Sequence, residues 1–201
     1  MAKPPKPKTW YGKTWYFVWH DDSLLSWIIN IILAFILIKF VVYPGLGFFF
    51  GTQFPIVAVV SESMEHQGKF DAWWSDNKDF YLKNNITQAQ FELYPFHNGF
   101  GKGDIMILVG KDPYEIGVGQ VIVYQSGKPY PIIHRVIHVQ EKSGKYYFET
   151  KGDNNGNQIV DIDLDETNIP EDVVYGKAVA RVPYLGYVKI WFVDLINLIL
   201  R

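Results

Sequence analysis

Polar and apolar positions are unevenly distributed along the chain. Residues 1–23 are polar and aromatic, and then Leu24–Tyr43 (LLSWIINIILAFILIKFVVY) is an apolar run carrying one charge, Lys39, near its end. Those 20 residues of helix cover about 30 Å, the thickness of a hydrocarbon core, so the run predicts a transmembrane helix rather than a buried core helix. Lys39 can snorkel to the interface. Pro44, Gly45 and Gly47 predict the end of the helix. Beyond them come short runs of β-branched and aromatic residues: 55–60, 104–110, 120–125, 132–140, 145–151 and 173–182. Turn signals separate several of them, and Lys142-Ser143-Gly144 predicts a hairpin between the fourth and fifth.

Two stretches depart from this β pattern. Residues 65–102 are polar with scattered aromatics and no clean period, which predicts an insertion with one short helix around Thr87–Leu93. Its aromatics, Trp73, Trp74, Phe80, Tyr81, Phe91 and Tyr94, suit either a lid or membrane-dipping surface, or an accessory lobe with its own small core. Asn85-Ile86-Thr87 within it is a glycosylation acceptor pattern. At the C-terminus, Lys189, Asp194, Asn197 and Arg201 fall within an arc of about 140° on a helix, so 187–201 reads as an amphipathic helix too short to span. The organisation is therefore a tail at 1–23, an anchor at 24–43, a mainly β domain at 52–186 and a terminal helix.

Charge orients the anchor. Four lysines precede it and the next Lys or Arg after Lys39 is Lys69, which places the N-terminus in the cytoplasm and the β domain outside. That outer part has 14 basic against 19 acidic side chains, and the whole chain carries −2 with pI about 6.2, which argues against nucleic acid as a partner. The absence of cysteine excludes disulfides and thiol catalysis.

Three places carry candidate chemistry. Ser61-Glu62-Ser63-Met64 follows a strand, where a serine can be held rigidly, with a second hydroxyl two residues earlier on the same side of extended chain. A serine after a strand is more often a turn residue. His134 lies in PIIHRVIHV, where alternation puts Ile133, Arg135 and Ile137 on one face and His134, Val136 and His138 on the other. An imidazole is ready to act as a base near neutral pH, and His138 is a rival to His134. The third is the loop from Lys151 through Asp153 to Asp161 and Asp163, since a carboxylate beside an imidazole orients it. Six acids within 161–172 read, for the most part, as a solvated acidic loop. The spacing of a calcium-binding EF-hand loop is absent.

The order anchor, Ser, His, Asp resembles the type I signal peptidases, in the archaeal and endoplasmic-reticulum branch that uses His where the bacterial branch uses Lys. The resemblance rests on Ser61-Glu62-Ser63-Met64-Glu65, Gly103-Asp104-Ile105, Ile133-His134-Arg135-Val136, Thr150-Lys151-Gly152-Asp153-Asn154-Asn155 and Gly176-Lys177-Ala178 with Val182–Tyr187. It implies a signal-peptidase-like β-sheet catalytic domain, with Ser63 as nucleophile, His134 as general base and the Ser61 hydroxyl helping the oxyanion hole. It implies Asp153 by the Gly-Asp-Asn-Asn motif, while the family's second Asp falls on Ile159 here, so Asp161, with Asp163 as a substitute, is its nearest replacement. The orienting acid is thus open among Asp153, Asp161 and Asp163. The family's frequent Pro after the Met is His66 here, and its short link to Gly103 is the 65–102 insertion.

The activity implied is a membrane-bound serine endopeptidase that cuts signal peptides from secretory preproteins after small residues. No cofactor or metal is implied. The expected partners are preproteins, membrane lipid and other signal peptidase or translocon subunits, at an archaeal plasma membrane or an endoplasmic reticulum membrane. An anchored β domain that binds a partner without catalysis is the competing expectation.

Overall fold

A computed structural model describes residue 5, residues 7–188 and residues 191, 196 and 198. Most of the amphipathic helix expected at 187–201 lies outside the described residues. The chain divides into two compact units, Met1–Phe49 and Phe50–Arg201.

In the first unit the aromatic tail is itself helical, as α1 (Trp10–His20), and turns back into α2 (Leu24–Leu37). The polar groups within α2 are used on the open end of α1. Ser26 Oγ donates to the Phe17 carbonyl at 2.6 Å and Asn30 Nδ2 to that of Val18 at 2.8 Å. Carbonyls in a last helical turn lack partners in their own helix, and an apolar setting makes leaving them bare expensive. The side chain of Ser23 caps α2.

The apolar helix does not end at Pro44 as expected. It passes through a π-helical turn, Ile38–Val42, into α3 (Tyr43–Phe50), giving a helix of 27 residues, Leu24–Phe50, long and apolar enough to cross a membrane. The π turn explains the continuation. Tyr43 N–H reaches back to Ile38 O, so the ladder is offset before the proline, and Pro44 falls in the first turn of a new α-helical stretch, where its missing N–H is tolerated.

The second unit is built on one sheet. Its strands are β1 (Ile56–Ala58), β2 (Ile105–Val109), β3 (Val121–Tyr124), β4 (Ile132–Lys142), β5 (Lys145–Lys151), β6 (Ile169–Pro170) and β7 (Val174–Val182), with every neighbour antiparallel in the order β1-β2-β7-β3-β4-β5-β6. The mainly β class follows the sequence pattern, and all the strands except β6 lie where it put them. β6 has two residues, too few to show an alternation. The hairpin between β4 and β5 closes through Ser143 and Gly144, both with positive φ (54° and 76°), the conformation that matches the twist of paired strands.

β3 lies at the centre and is buried along its whole length, so both sheet faces are covered. Val121 and Val123 join a core with Val59, Met64, Phe100, Met106 and Leu108. Ile122 and Tyr124 join the opposite core with Val136, Phe148 and Leu164. The register of β4 against β5 slips between Val136 and His138, and beyond the slip His138 is exposed.

Residues 65–102 hold more helix than their sequence pattern suggested. α5 (Gln88–Glu92) stands at the expected place, opened by a capping box of Thr87 and Gln90. A longer helix, α4 (Phe70–Lys83), precedes it. Its signal was present, because Phe70, Trp73, Trp74 and Tyr81 recur at helical spacing amid polar residues. Trp73, Trp74, Tyr81, Ile86 and Phe91 are buried against one another and against Ile137 of β4. The segment is therefore an accessory lobe with its own core, and its large aromatics are not a lid surface.

Beneath this lobe β5 ends in a buried lysine. Lys151 Nζ lies 5.0 Å from the ring centres of both Phe80 and Tyr81 and donates to the carbonyls of Gly152 (3.0 Å) and Asp153 (3.3 Å). Burial pushes its pKa down to about 8, against the partial support of Asp153 and Glu166.

Two outcomes are expected. Phe148 is fully buried, so Phe148→Ala lowers unfolding free energy by about 3–5 kcal/mol, read from denaturant unfolding in detergent. Between pH 8 and an unfolded-lysine pKa of about 10.4 the folded chain binds fewer protons at Lys151 than the unfolded one, so stability rises with pH across that window, by up to about 3 kcal/mol. Lys151→Met removes this rise, and equal slopes for the two proteins would refute the assignment.

Candidate active site

Ser63 follows the end of β1, on the segment where the chain leaves the sheet for the lobe. Two bonds fix that segment. Asn154 N–H donates to the Ser63 carbonyl at 2.8 Å and Phe100 N–H to that of Met64 at 2.9 Å. Met64 is buried in the sheet core, which anchors the turn from below. The Ser63 side chain stays partly accessible.

His134 comes from the start of β4 and is 3% exposed. Its Nε2 lies 2.9 Å from Ser63 Oγ, although 71 residues separate the two in sequence. Its Nδ1 lies 2.5 Å from Oε1 of Glu166, which is fully buried. The same carboxylate accepts from Thr150 Oγ1 at 3.1 Å and, through Oε2, from the Ile159 backbone N–H at 2.7 Å. With donors gathered on Glu166, the natural role of Nδ1 is to donate, which leaves the Nε2 lone pair for the Ser63 hydroxyl. The result is a hydroxyl, an imidazole and a carboxylate in one hydrogen-bonded chain.

Gly152 is required by close packing at this point. A Cβ there would stand 2.8 Å from His134 Nε2 and 2.9 Å from the Ser63 carbonyl oxygen. Ser61 Oγ is 3.1 Å from Ser63 Oγ, so the second hydroxyl lies beside the first as extended spacing suggested.

The acids are arranged differently from the sequence-based expectation. Asp153 is fully buried but does not touch His134. It accepts from Arg135 Nε (2.9 Å) and NH2 (2.6 Å), from Tyr81 OH (2.9 Å) and from His66 Nε2 (3.1 Å). Burial alone would raise its pKa, but Arg135 and His66 outweigh burial and hold it well below the usual carboxylate range. Asp161 is exposed and bonded to Lys128 Nζ at 2.8 Å, and Asp163 is exposed and 3.9 Å from the same ammonium. His138 is exposed, with Glu149 as partner at 3.1 Å.

Glu166 reaches His134 because the loop folds back on itself. Val160 pairs with Asp165, Asp161 N–H bonds to Leu164 O, and Glu166 N–H bonds to Ile159 O. This small hairpin brings residue 166 alongside residue 159, the position that lacks a carboxylate here. Its faint signal in the sequence is parity. Glu166 shares the alternation of Leu164, which is buried, while Asp161, Asp163 and Asp165 share the opposite, exposed parity.

A groove of about 200 Å³ opens beside Ser63. Val57–Val60, Ser61 and Ser63 form one wall, and residues 128–134 form the other. β1 is an edge strand of the sheet, paired on one side only among the described residues. No group of residues suited to holding a metal ion occurs among the described residues.

No protein-family model matches the chain. Curated relatives do. The signal peptidase complex catalytic subunit sec11 of Schizosaccharomyces pombe is 29% identical over 176 residues, which is 85% of this chain and 83% of that protein. The SEC11 subunit of Komagataella phaffii is 31% identical over 160 residues, 75% of this chain and 74% of its own length. That of Scheffersomyces stipitis is 32% identical over 157 residues, 75% and 73%. Identity above 30% over about three quarters of both chains shows the relationship, and the chain belongs to the family of signal peptidase complex catalytic subunits.

Proposed function

We propose that Ser63, His134 and Glu166 form the catalytic triad with which this chain, a signal peptidase and hence a serine endopeptidase, removes signal peptides. The observation that carries the reading is the bonded chain from Ser63 Oγ through both nitrogens of His134 to Glu166, at 2.9 and 2.5 Å. His134 takes the proton of Ser63 as its oxygen attacks the scissile carbonyl, and Glu166 stabilises the imidazolium that forms. His134 returns the proton to the leaving amine, and water then releases the acyl-enzyme by the same path. The Ser61 hydroxyl, 3.1 Å from Ser63 Oγ, supports a role for it as a second donor to the oxyanion.

The groove gives the substrate its place. An extended segment can lie along Val57–Val60 as an added strand, with its side chains alternately toward the groove and away. Apolar walls of limited volume favour small side chains such as Ala before the cleaved bond. The helix Leu24–Phe50 anchors the chain in a membrane, with the N-terminus on the cytoplasmic side. Because the relatives are named as subunits of a complex, further subunits are the expected partners. A domain that binds without catalysis would have no use for a buried acid–imidazole–hydroxyl chain.

Reconstitution with a preprotein bearing an Ala-x-Ala site tests the assignment. Ser63→Ala and His134→Ala each lower kcat by at least about 10⁴-fold. Glu166→Gln lowers it by about 10²–10⁴-fold, because the amide no longer stabilises the imidazolium. Asp161→Asn, at an exposed ion pair, changes kcat by less than about twofold. If Asp161→Asn were as damaging as Glu166→Gln, the acid would have to be reassigned.

A further inference from the structure

The catalytic triad accounts for β4 and the 152–166 loop but leaves the lobe at 65–102 without a task. Two of its side chains lie deep in the catalytic domain. His66 Nε2 and Tyr81 OH converge on the two oxygens of Asp153, at 3.1 and 2.9 Å. Both are buried, His66 at 8% exposure and Tyr81 at 0%. His66 stacks flat on Trp73, with ring centres 3.6 Å apart and 5° between planes. Its Nδ1 has no partner, so its N–H is best used at Nε2, toward Asp153. The lobe also supplies the carbonyls of Pro95 and Phe96 to Arg135 and the ring of Phe91 beneath its guanidinium, at 4.6 Å.

Asp153 is one residue from each half of the catalytic centre. On one side Gly152 lies against His134 and the Ser63 carbonyl. On the other, Asn154 N–H bonds the Ser63 carbonyl and Asn154 Nδ2 bonds that of Glu62 at 3.1 Å. Asp153 N–H itself points at Met64 Sδ at 3.3 Å. A carboxylate fixed at three corners thus fixes the loop that holds the nucleophile's backbone.

We propose that the inserted lobe is a clamp on the catalytic loop, with His66 and Tyr81 as positioning residues that set the Ser63–His134 geometry through Asp153. The lobe then acts on kcat and leaves substrate binding alone. This rests on the reading of Ser63 and His134 as nucleophile and base.

The test uses the full-length chain with its complex subunits in proteoliposomes, cleaving an Ala-x-Ala preprotein. Variants are His66→Ala, His66→Gln, Tyr81→Phe and, on the exposed surface of the same lobe, Leu93→Ser, with Ser63→Ala in parallel. Loss of either donor lowers kcat about tenfold to a hundredfold, with KM within about twofold, because small displacements of a nucleophile are costly. His66→Gln, whose amide donates from a similar position, recovers most of the rate, and Leu93→Ser matches wild type. Proton NMR supplies a readout independent of cleavage. The far-downfield proton between His134 and Glu166, sharp in wild type, broadens or shifts in His66→Ala and Tyr81→Phe and returns in His66→Gln. Unchanged kcat and an unchanged proton, an effect confined to KM, or a His66→Gln no better than His66→Ala would each overturn the clamp. An active Ser63→Ala would instead overturn the assignment of the nucleophile.

Discussion

The ion pair of Arg135 and Asp153 is the constraint around which the β domain is arranged. Both side chains are fully buried. Two charges removed from water cost several kcal/mol each unless every donor and acceptor is met. Here they are met. Arg135 Nε and NH2 bond Asp153, NH1 bonds the carbonyls of Pro95 and Gly119, and NH2 also bonds Phe96 O. The partners come from β4, the loop after β5, the turn before β3 and the inserted lobe. None of these can move without exposing a buried charge, so one electrostatic requirement sets the relative position of four chain segments. His134 and Asn154 are sequence neighbours of the two charges and share their rigidity.

This division of labour separates two carboxylates that sequence alone does not tell apart. Asp153 is committed to Arg135, and that guanidinium leaves it no freedom to serve an imidazole. Glu166 makes no direct ion pair with a lysine or arginine among the described residues and is held by a hydroxyl and a backbone N–H, so the charge of an imidazolium is the favourable partner at bonding distance. The buried core on one side of β3 supports this second arrangement. Tyr124 OH is 2.8 Å from Thr150 Oγ1, which in turn reaches Glu166, and the buried phenol has its pKa pushed well above the ordinary range by burial and by that carboxylate. A strand chosen for packing thereby also extends the polar chain behind the active site.

How legible these features were in the sequence follows from how local their causes are. Runs rich in β-branched and aromatic residues marked the strands, because that composition is written in adjacent residues. Ser63 and His134 were marked by neighbours, a Met and an Arg, that the structure uses as anchors. Pro44 misled, because a π turn several residues earlier absorbs it and leaves no compositional mark. α4 was hidden by its polar residues, and its aromatic stripe makes sense only once Ile137 of β4 is there to cover it. Glu166 was the least legible. Its role depends on a hairpin of 160–165 returning the chain beside Ile159, and on contact with a histidine 32 residues away.

A glutamate in this place has physical consequences of its own. It has one more rotatable bond than aspartate, and an acid that orients an imidazole is useful only if its own position is fixed. The hairpin supplies that fixation from the backbone. Glu166 N–H bonds Ile159 O, its carbonyl accepts from Thr150 N–H at 2.8 Å and from Gln158 Nε2 at 3.1 Å, and its Oε2 is tied to Ile159 N–H. Residue 159 thus contributes main-chain groups and no carboxylate of its own. The longer reach of glutamate then covers the distance from the neighbouring strand of the hairpin to His134. An aspartate at 166 would keep these backbone bonds but fall about one carbon–carbon bond short, about 1.5 Å, of the imidazole it has to hold. The hairpin that returns the chain and the longer side chain are therefore two halves of a single geometric solution.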